Sequence, residues 1–115
     1  MITYDDFAKL EITIGEIKSV EVVEDADKLL RLMVDIGERD EESGAVRLRQ
    51  IVSGIREYFD DPQSLVGVRC PFLTNLEPRT IRGFESQGMI LAASTEETLG
   101  LLIPSNELPV GTRIK

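Results

Sequence analysis

Residues Asn75–Ser94 read N-L-E-P-R-T-I-R-G-F-E-S-Q-G-M-I-L-A-A-S. A polar loop stiffened by Pro78 carries Arg79 and Arg82, and Gly83 permits a sharp turn. Ser86, Gln87 and Met89 then lead straight into an apolar strand predicted over Met89–Ala93. Nothing here has the nucleophile, phosphate-loop or ligand spacing of a hydrolase, kinase or metal site.

Outward from this stretch the chain reads as strands. Downstream, Thr98–Ile103 is another strand, and Pro104–Lys115 is a Pro- and Gly-punctuated tail with a last strand-like Thr112–Ile114. Upstream, Val68–Leu73 is a strand whose Cys70-Pro71 places it at an edge or a bulge. Asp61–Gly67 has a cap residue, Pro at the first helical position and Gly at the end, and predicts one short helix. Val46–Ser53 alternates, with Val46, Leu48 and Val52 inward and Arg47, Arg49 and Ile51 pointing the other way. Gly37–Gly44 is a polar loop. Leu29–Ile36 is a strand with Leu30, Leu32, Val34 and Ile36 inward and Arg31, Met33 and Asp35 outward. Glu24–Asp27 is a turn. Leu10, Ile12 and Ile14 share a face, and the parity changes after Gly15, which predicts a bulge or bend in a long strand. Thr3 caps a short helix over Tyr4–Ala8, with Asp6 as reciprocal partner.

Three strands, a short helix and two or three more strands give an all-β chain. The layout is that of the five-stranded Greek-key barrel of the oligonucleotide/oligosaccharide-binding (OB) type, with a C-terminal extension. An SH3-like barrel or a small sandwich fits the same pattern. The 115 residues make one domain of ordinary size, over 1–115, with no linker or repeat.

Composition narrows the chemistry. There is no histidine and a single cysteine, Cys70, so Ser-His or Cys-His catalysis, an internal disulfide and a zinc site are all unexpected. Asp25 and Asp27 could face a hard cation but lack the spacing of a calcium loop. No catalytic residue, metal or cofactor is expected. No apolar run approaches the ~18 residues of a membrane span, and the acidic N-terminus lacks signal-peptide character. The expected setting is the cytoplasm. Net charge is -8, which runs against nucleic-acid binding. The excess is one-sided: residues 1–62 carry 8 basic and 16 acidic side chains, residues 63–115 carry 5 of each.

The candidate site collects the cations of the second and third strands, Arg31, Arg47 and Arg49, with Met33 and Ile51 between them. To these the loop adds Asn75, Arg79, Arg82, Ser86, Gln87 and Met89. Arginine forks suit phosphate, and Ser and Gln suit sugar hydroxyls or base edges. From position alone the strand arginines also read as a solvated sheet face paired with Asp and Glu, and Met89 reads as core filler. Tyr4, Phe7, Phe59 and Phe72 are placed in core or helix packing, which leaves Tyr58 and Phe84 beside binding loops.

Four segments in order carry a resemblance: Phe7–Ile17; Asp25–Leu29 with Val34–Gly37; Arg49–Ile55; and Asn75–Ser94. Together they resemble the structure-specific tRNA-binding domain, found free-standing and as the C-terminal domain or beta subunit of methionyl-tRNA synthetase. A divergent branch is a secretion chaperone. The family's Ser-x-Gly-Met element falls on Ser86–Met89, its Asn-Leu-x-Pro on Asn75–Pro78 and its Arg-Gly on Arg82-Gly83. The resemblance implies an OB-fold, no catalysis of its own, binding to the body of tRNA, possible docking to methionyl-tRNA synthetase, and a homodimer joined partly through the C-terminal region. The chain departs from the family in charge, with Glu77 where Lys is frequent and Thr80 near another basic position. An interaction or chaperone-like dimer of weak RNA affinity is the alternative that its acidity supports.

Overall fold

The computed structural model describes residues 1–24, 26 and 28–115. The Asp25/Asp27 pair weighed above as a cation site lies outside them. Helix α1 (Tyr4–Ala8) begins with the expected capping box: Thr3 Oγ1 accepts from Asp6 N at 3.2 Å, and the Asp6 carboxylate accepts from Thr3 N at 3.0 Å. Five residues cannot sustain a helix in water alone, and this one buries no side chain. Tyr4, expected in packing, is 76% exposed, with its ring tilted against that of Phe7 at a centroid distance of 6.4 Å.

Strands β1 (Ile12–Val22), β2 (Leu30–Arg39), β3 (Val46–Ser53), β4 (Arg69–Leu73) and β7 (Met89–Ile90) form one antiparallel sheet in the order β3-β2-β1-β4-β7. The short β5 (Arg79–Ile81) and β6 (Phe84–Ser86) pair with each other, as do β8 (Ala92–Ser94) and β9 (Leu99–Leu101). The sheet curls on itself around Ile17, Val20, Leu30, Leu32, Val34, Ile51 and Phe72, all buried. It is the OB-type barrel the strand order predicts. Two features of β1 produce the curl. Its register slips between Ile17 and Ser19, the bulge anticipated a few residues earlier. At Gly15 the strand passes so close to its neighbours that a Cβ would stand 2.8 Å from Phe72 Cδ1 and 2.9 Å from Val34 Cγ1. Only glycine allows that approach.

Several elements differ from the expectation. β2 runs on to Arg39, with an irregularity after Asp35, so Gly37–Arg39 belong to the strand. The helix at Pro62–Leu65 is a 3-10 turn capped by Asp61, with a second such turn at Arg56–Tyr58. Inside the predicted polar loop, residues 79–86 form a hairpin. The predicted strand Met89–Ala93 breaks in two at Leu91.

β3 corrects the predicted parity. Its register pairs Leu32 with Ile51 and Val34 with Arg49, while Arg31 pairs with Val52 and Met33 with Gln50. Cross-strand partners share a face, so Ile51 is core and Arg49 lies on the core side. Arg31 projects from the opposite side. The three strand arginines therefore do not form one row.

The tail adds to β1 where β2 has left it. Gly111 N donates to Ile14 O at 2.7 Å, Ile14 N to Thr112 O at 2.9 Å and Ile114 N to Ile12 O at 2.8 Å. It covers Ile14, which faces out of the barrel. Ile12, Pro71, Leu101, Leu108 and Ile114 line an open groove of about 680 Å³ there. Ile103 stands at its edge, 61% exposed.

Candidate nucleic-acid interface

The hairpin presents the two loop arginines. Ile81 pairs with Phe84 across a two-residue turn, Arg82-Gly83, whose φ angles are 51° and 86°. Positive φ at both central positions is what a tight hairpin turn of matching twist requires. Arg82 is the sole non-glycine residue described with positive φ, and it pays a small backbone cost to sit at the tip. Arg79, Arg82 and Arg47 are exposed and make no ion pair among the described residues.

Ser86 and Gln87 face inward. The Ser86 hydroxyl is buried, accepts from Val52 N at 3.0 Å and donates to Gly88 O at 3.1 Å. Gln87 N donates to Gln50 O at 2.8 Å, and Gln87 Oε1 accepts from Gln50 N at 3.2 Å. Gln50 Nε2 reaches Glu85 O at 2.8 Å. These side chains stand in for a backbone ladder between β3 and the chain entering β7, and they close the barrel. Gly88, at φ 145°, completes the seam, since a Cβ there would meet Leu73 O at 2.8 Å.

Arg49 is a clasp. Its Nε and Nη2 donate to the two Glu38 carboxylate oxygens at 2.9 Å each, and Nη1 donates to Thr74 O and to Gln87 O. One side chain thus ties β2 to both ends of the segment that carries the hairpin. The Arg49 hydrogen bond holds the Glu38 carboxyl below its ordinary range. Asn75 works similarly, its Oδ1 accepting from Glu11 N at 2.8 Å and its Nδ2 donating to Lys9 O at 2.7 Å. Met89, a candidate contact that position alone also reads as core filler, is 46% exposed, because its pairing with Leu73 turns it out of the barrel.

Arg31 bonds Gln50 Oε1 through Nε at 2.7 Å and Glu21 through Nη1 at 2.6 Å, and its Cζ lies 5.5 Å from the centre of the Phe84 ring. Sequence reasoning passed over Glu38, Gln50 and Glu21. Glu38 had one signal, an acid beside Gly37 where a strand was ending, whereas Gln50 had none. The structure sets Arg31 beside Arg82 and Phe84 at the hairpin tip, and Arg47 and Arg49 beside Pro78, Glu85 and Gln87 at its base. Cys70 is buried, and burial pushes its thiol up to about 12, so it is no nucleophile. Among the described residues no cluster of His, Cys, Asp or Glu is placed to hold a metal ion.

Comparison with known proteins fits this geometry. The sequence pattern of the family described as "Putative tRNA binding domain" matches residues 12–113. A methionine–tRNA ligase of Deinococcus radiodurans is 42% identical over 116 residues, covering 100% of this chain and 16% of the ligase. The chain spans about one sixth of the length of that relative. Among solved structures, a MetRS-related protein from Pyrococcus horikoshii superposes with a TM-score of 0.86 at 34% identity, covering 100% of this chain and 98% of that one. The chaperone CsaA of Bacillus anthracis superposes at 0.82 with 28% identity, covering 100% and 99%. With the barrel, the glycine-dependent seam and the arginine-tipped hairpin all in place over the matched residues, the chain belongs to the tRNA-binding domain family.

Proposed function

We propose that the 115 residues act as one non-catalytic cytoplasmic module that binds tRNA through its backbone and shape, free-standing or attached to a methionyl-tRNA synthetase. The observation that carries this is the hairpin: Arg79 and Arg82 stand exposed on a two-stranded arm and make no ion pair among the described residues. Arg47, beside Pro78 and Glu85 at the hairpin base, and the exposed Met89 complete the contact surface. Arg49, Ser86, Gln87 and Asn75 serve it by holding the arm in place. The module would raise the local concentration of tRNA at a synthetase without touching the chemistry. The apolar groove beside the tail supports a homodimer, which would double the RNA surface and offset the sparse positive charge.

Titration of labelled tRNA against salt tests the reading. Affinity should fall with a log–log slope of roughly -2 to -4, since few phosphates are neutralised at somewhat under one unit each. No binding at ~50 mM salt would remove tRNA as the ligand. The likeness to the CsaA chaperone and the uncovered groove would then favour a protein-binding dimer.

A further inference from the structure

Between the turn at Val22–Glu24 and the hairpin tip at Arg82–Phe84 lies a pocket of about 530 Å³. Its floor is Arg31. Two in-plane approaches to that guanidinium are taken, by Gln50 at 2.7 Å and by Glu21 at 2.6 Å, and the Phe84 ring lies against it at 5.5 Å. The side chain is still 26% exposed and lines the pocket. A fork fixed in its own plane cannot swing to grip a phosphate with both arms. What it offers is a flat, cationic surface backed by an aromatic ring. Unstacked bases stack on such planes.

The rim decides which base fits. Glu24 and the remaining oxygen of Glu21 are acceptors, and Arg82 is the nearby cation. Guanine presents adjacent N1–H and N2–H₂ donors, a two-point match for a carboxylate. Adenine and cytosine each set a ring acceptor beside a single amino group, which a carboxylate repels. Uracil flanks its one N–H with carbonyls.

We infer that the Arg31–Phe84 platform, edged by Glu21 and Glu24, receives one unstacked guanosine nucleotide, with Arg82 on its phosphate. The inference deepens the tRNA reading, resting on it for the claim that the nucleotide belongs to an RNA.

The test is an NMR titration of the whole chain with GMP, AMP, CMP and UMP, following the Arg31 Nε–H, Gln50 amide and Phe84 ring signals. GMP should move them at lower concentration than the other three. Glu24→Gln, whose amide offers one acceptor and one donor, should cut the preference for GMP over AMP roughly ten-fold. Phe84→Leu should weaken tRNA binding by roughly ten-fold. Equal response to all four nucleotides, shifts mapping elsewhere, or an unchanged preference in Glu24→Gln would overturn the inference. tRNA binding measured on the same samples separates the two ideas. If tRNA binds while the nucleotides are not distinguished, the pocket fails and the RNA module stands. If GMP binds selectively and tRNA does not bind, the pocket stands and the module reading falls.

Discussion

The Ser86 oxygen serves two backbone groups at once, Val52 N–H and Gly88 C=O. Ser86→Ala leaves a buried N–H without a partner, a loss of about 1–3 kcal/mol that a urea melt will read. Its tRNA affinity per folded molecule should hold, because the hydroxyl has no free capacity facing solvent. A drop in affinity without a drop in stability would return Ser86 to direct RNA contact. Arg82 is the opposite case. Arg82→Ala removes an exposed cation and keeps a Cβ at the φ of 51°, so the backbone cost is unchanged and stability should stay within about 0.5 kcal/mol while tRNA binding weakens. Lys18→Ala serves as the comparison: Lys18 is paired with Glu16 on the surface of β1 and lies outside the hairpin. Equal losses of binding for Arg82→Ala and Lys18→Ala, measured by gel shift, would place the contact surface elsewhere.

The hairpin arm depends on the Arg49–Glu38 clasp, and the clasp has a pH signature. The Glu38 carboxyl titrates below its ordinary value of 4.5 because Arg49 donates to it. Its stabilising contribution is therefore complete above that value and is lost as pH falls through the lowered one. Glu16 and Asp40 are lowered as well, by Lys18 with Arg69 and by backbone donors from Ser43 and Glu42 respectively, so acid alone does not isolate the clasp. The hydrogen-exchange protection of the Gln87 amide, expressed relative to its intrinsic exchange rate at each pH, should fall in the wild type as acid protonates Glu38. In Glu38→Gln that protection should be lower already at neutral pH and should change little with acid. An identical pH profile in both would show that the clasp does not hold the arm. Much of this scale was legible in the sequence. The capping box at Thr3, the inward face of β2 and the extent of β3 all follow from local chemistry or strict alternation. The hairpin was missed because strands of three residues carry too little periodicity to outweigh their polarity, although Arg82-Gly83 is a turn dipeptide. β3 was assigned the wrong face because Ile51 and Val52 are both buried. The barrel covers one and the seam residue Ser86 meets the other, so alternation had no sign to read. The exposure of the loop arginines was legible from the polarity of their segment. The closing role of Ser86 and Gln87 was not, since it depends on partners, Val52 and Gln50, more than thirty residues away.

At the scale of the molecule, the open groove beside the tail argues for a second copy. Ile12, Leu101 and Leu108 line it, and Leu102 and Ile103 stand exposed beside it. A contiguous apolar patch of this kind marks an interaction surface, and a two-fold pair is its commonest solution. Light scattering at micromolar concentration should give about twice the 12.8 kDa chain mass, and Ile103→Asp should shift it to monomer. A monomer in the wild type at high concentration would remove the dimer. The tail's pairing with β1 also sets an order of events in the cell. Arg113 donates to Leu10 O across 103 residues, and both backbone groups of Ile14 wait for partners at Gly111 and Thr112. Contacts so distant in sequence close late and fold slowly. While the ribosome is still working downstream, the first half of β1 is a bare strand edge, the kind that invites pairing with other chains. That stretch of β1 is thus covered only once synthesis has passed Ile114, and a stalled or clipped chain ending before that point would keep its edge bare.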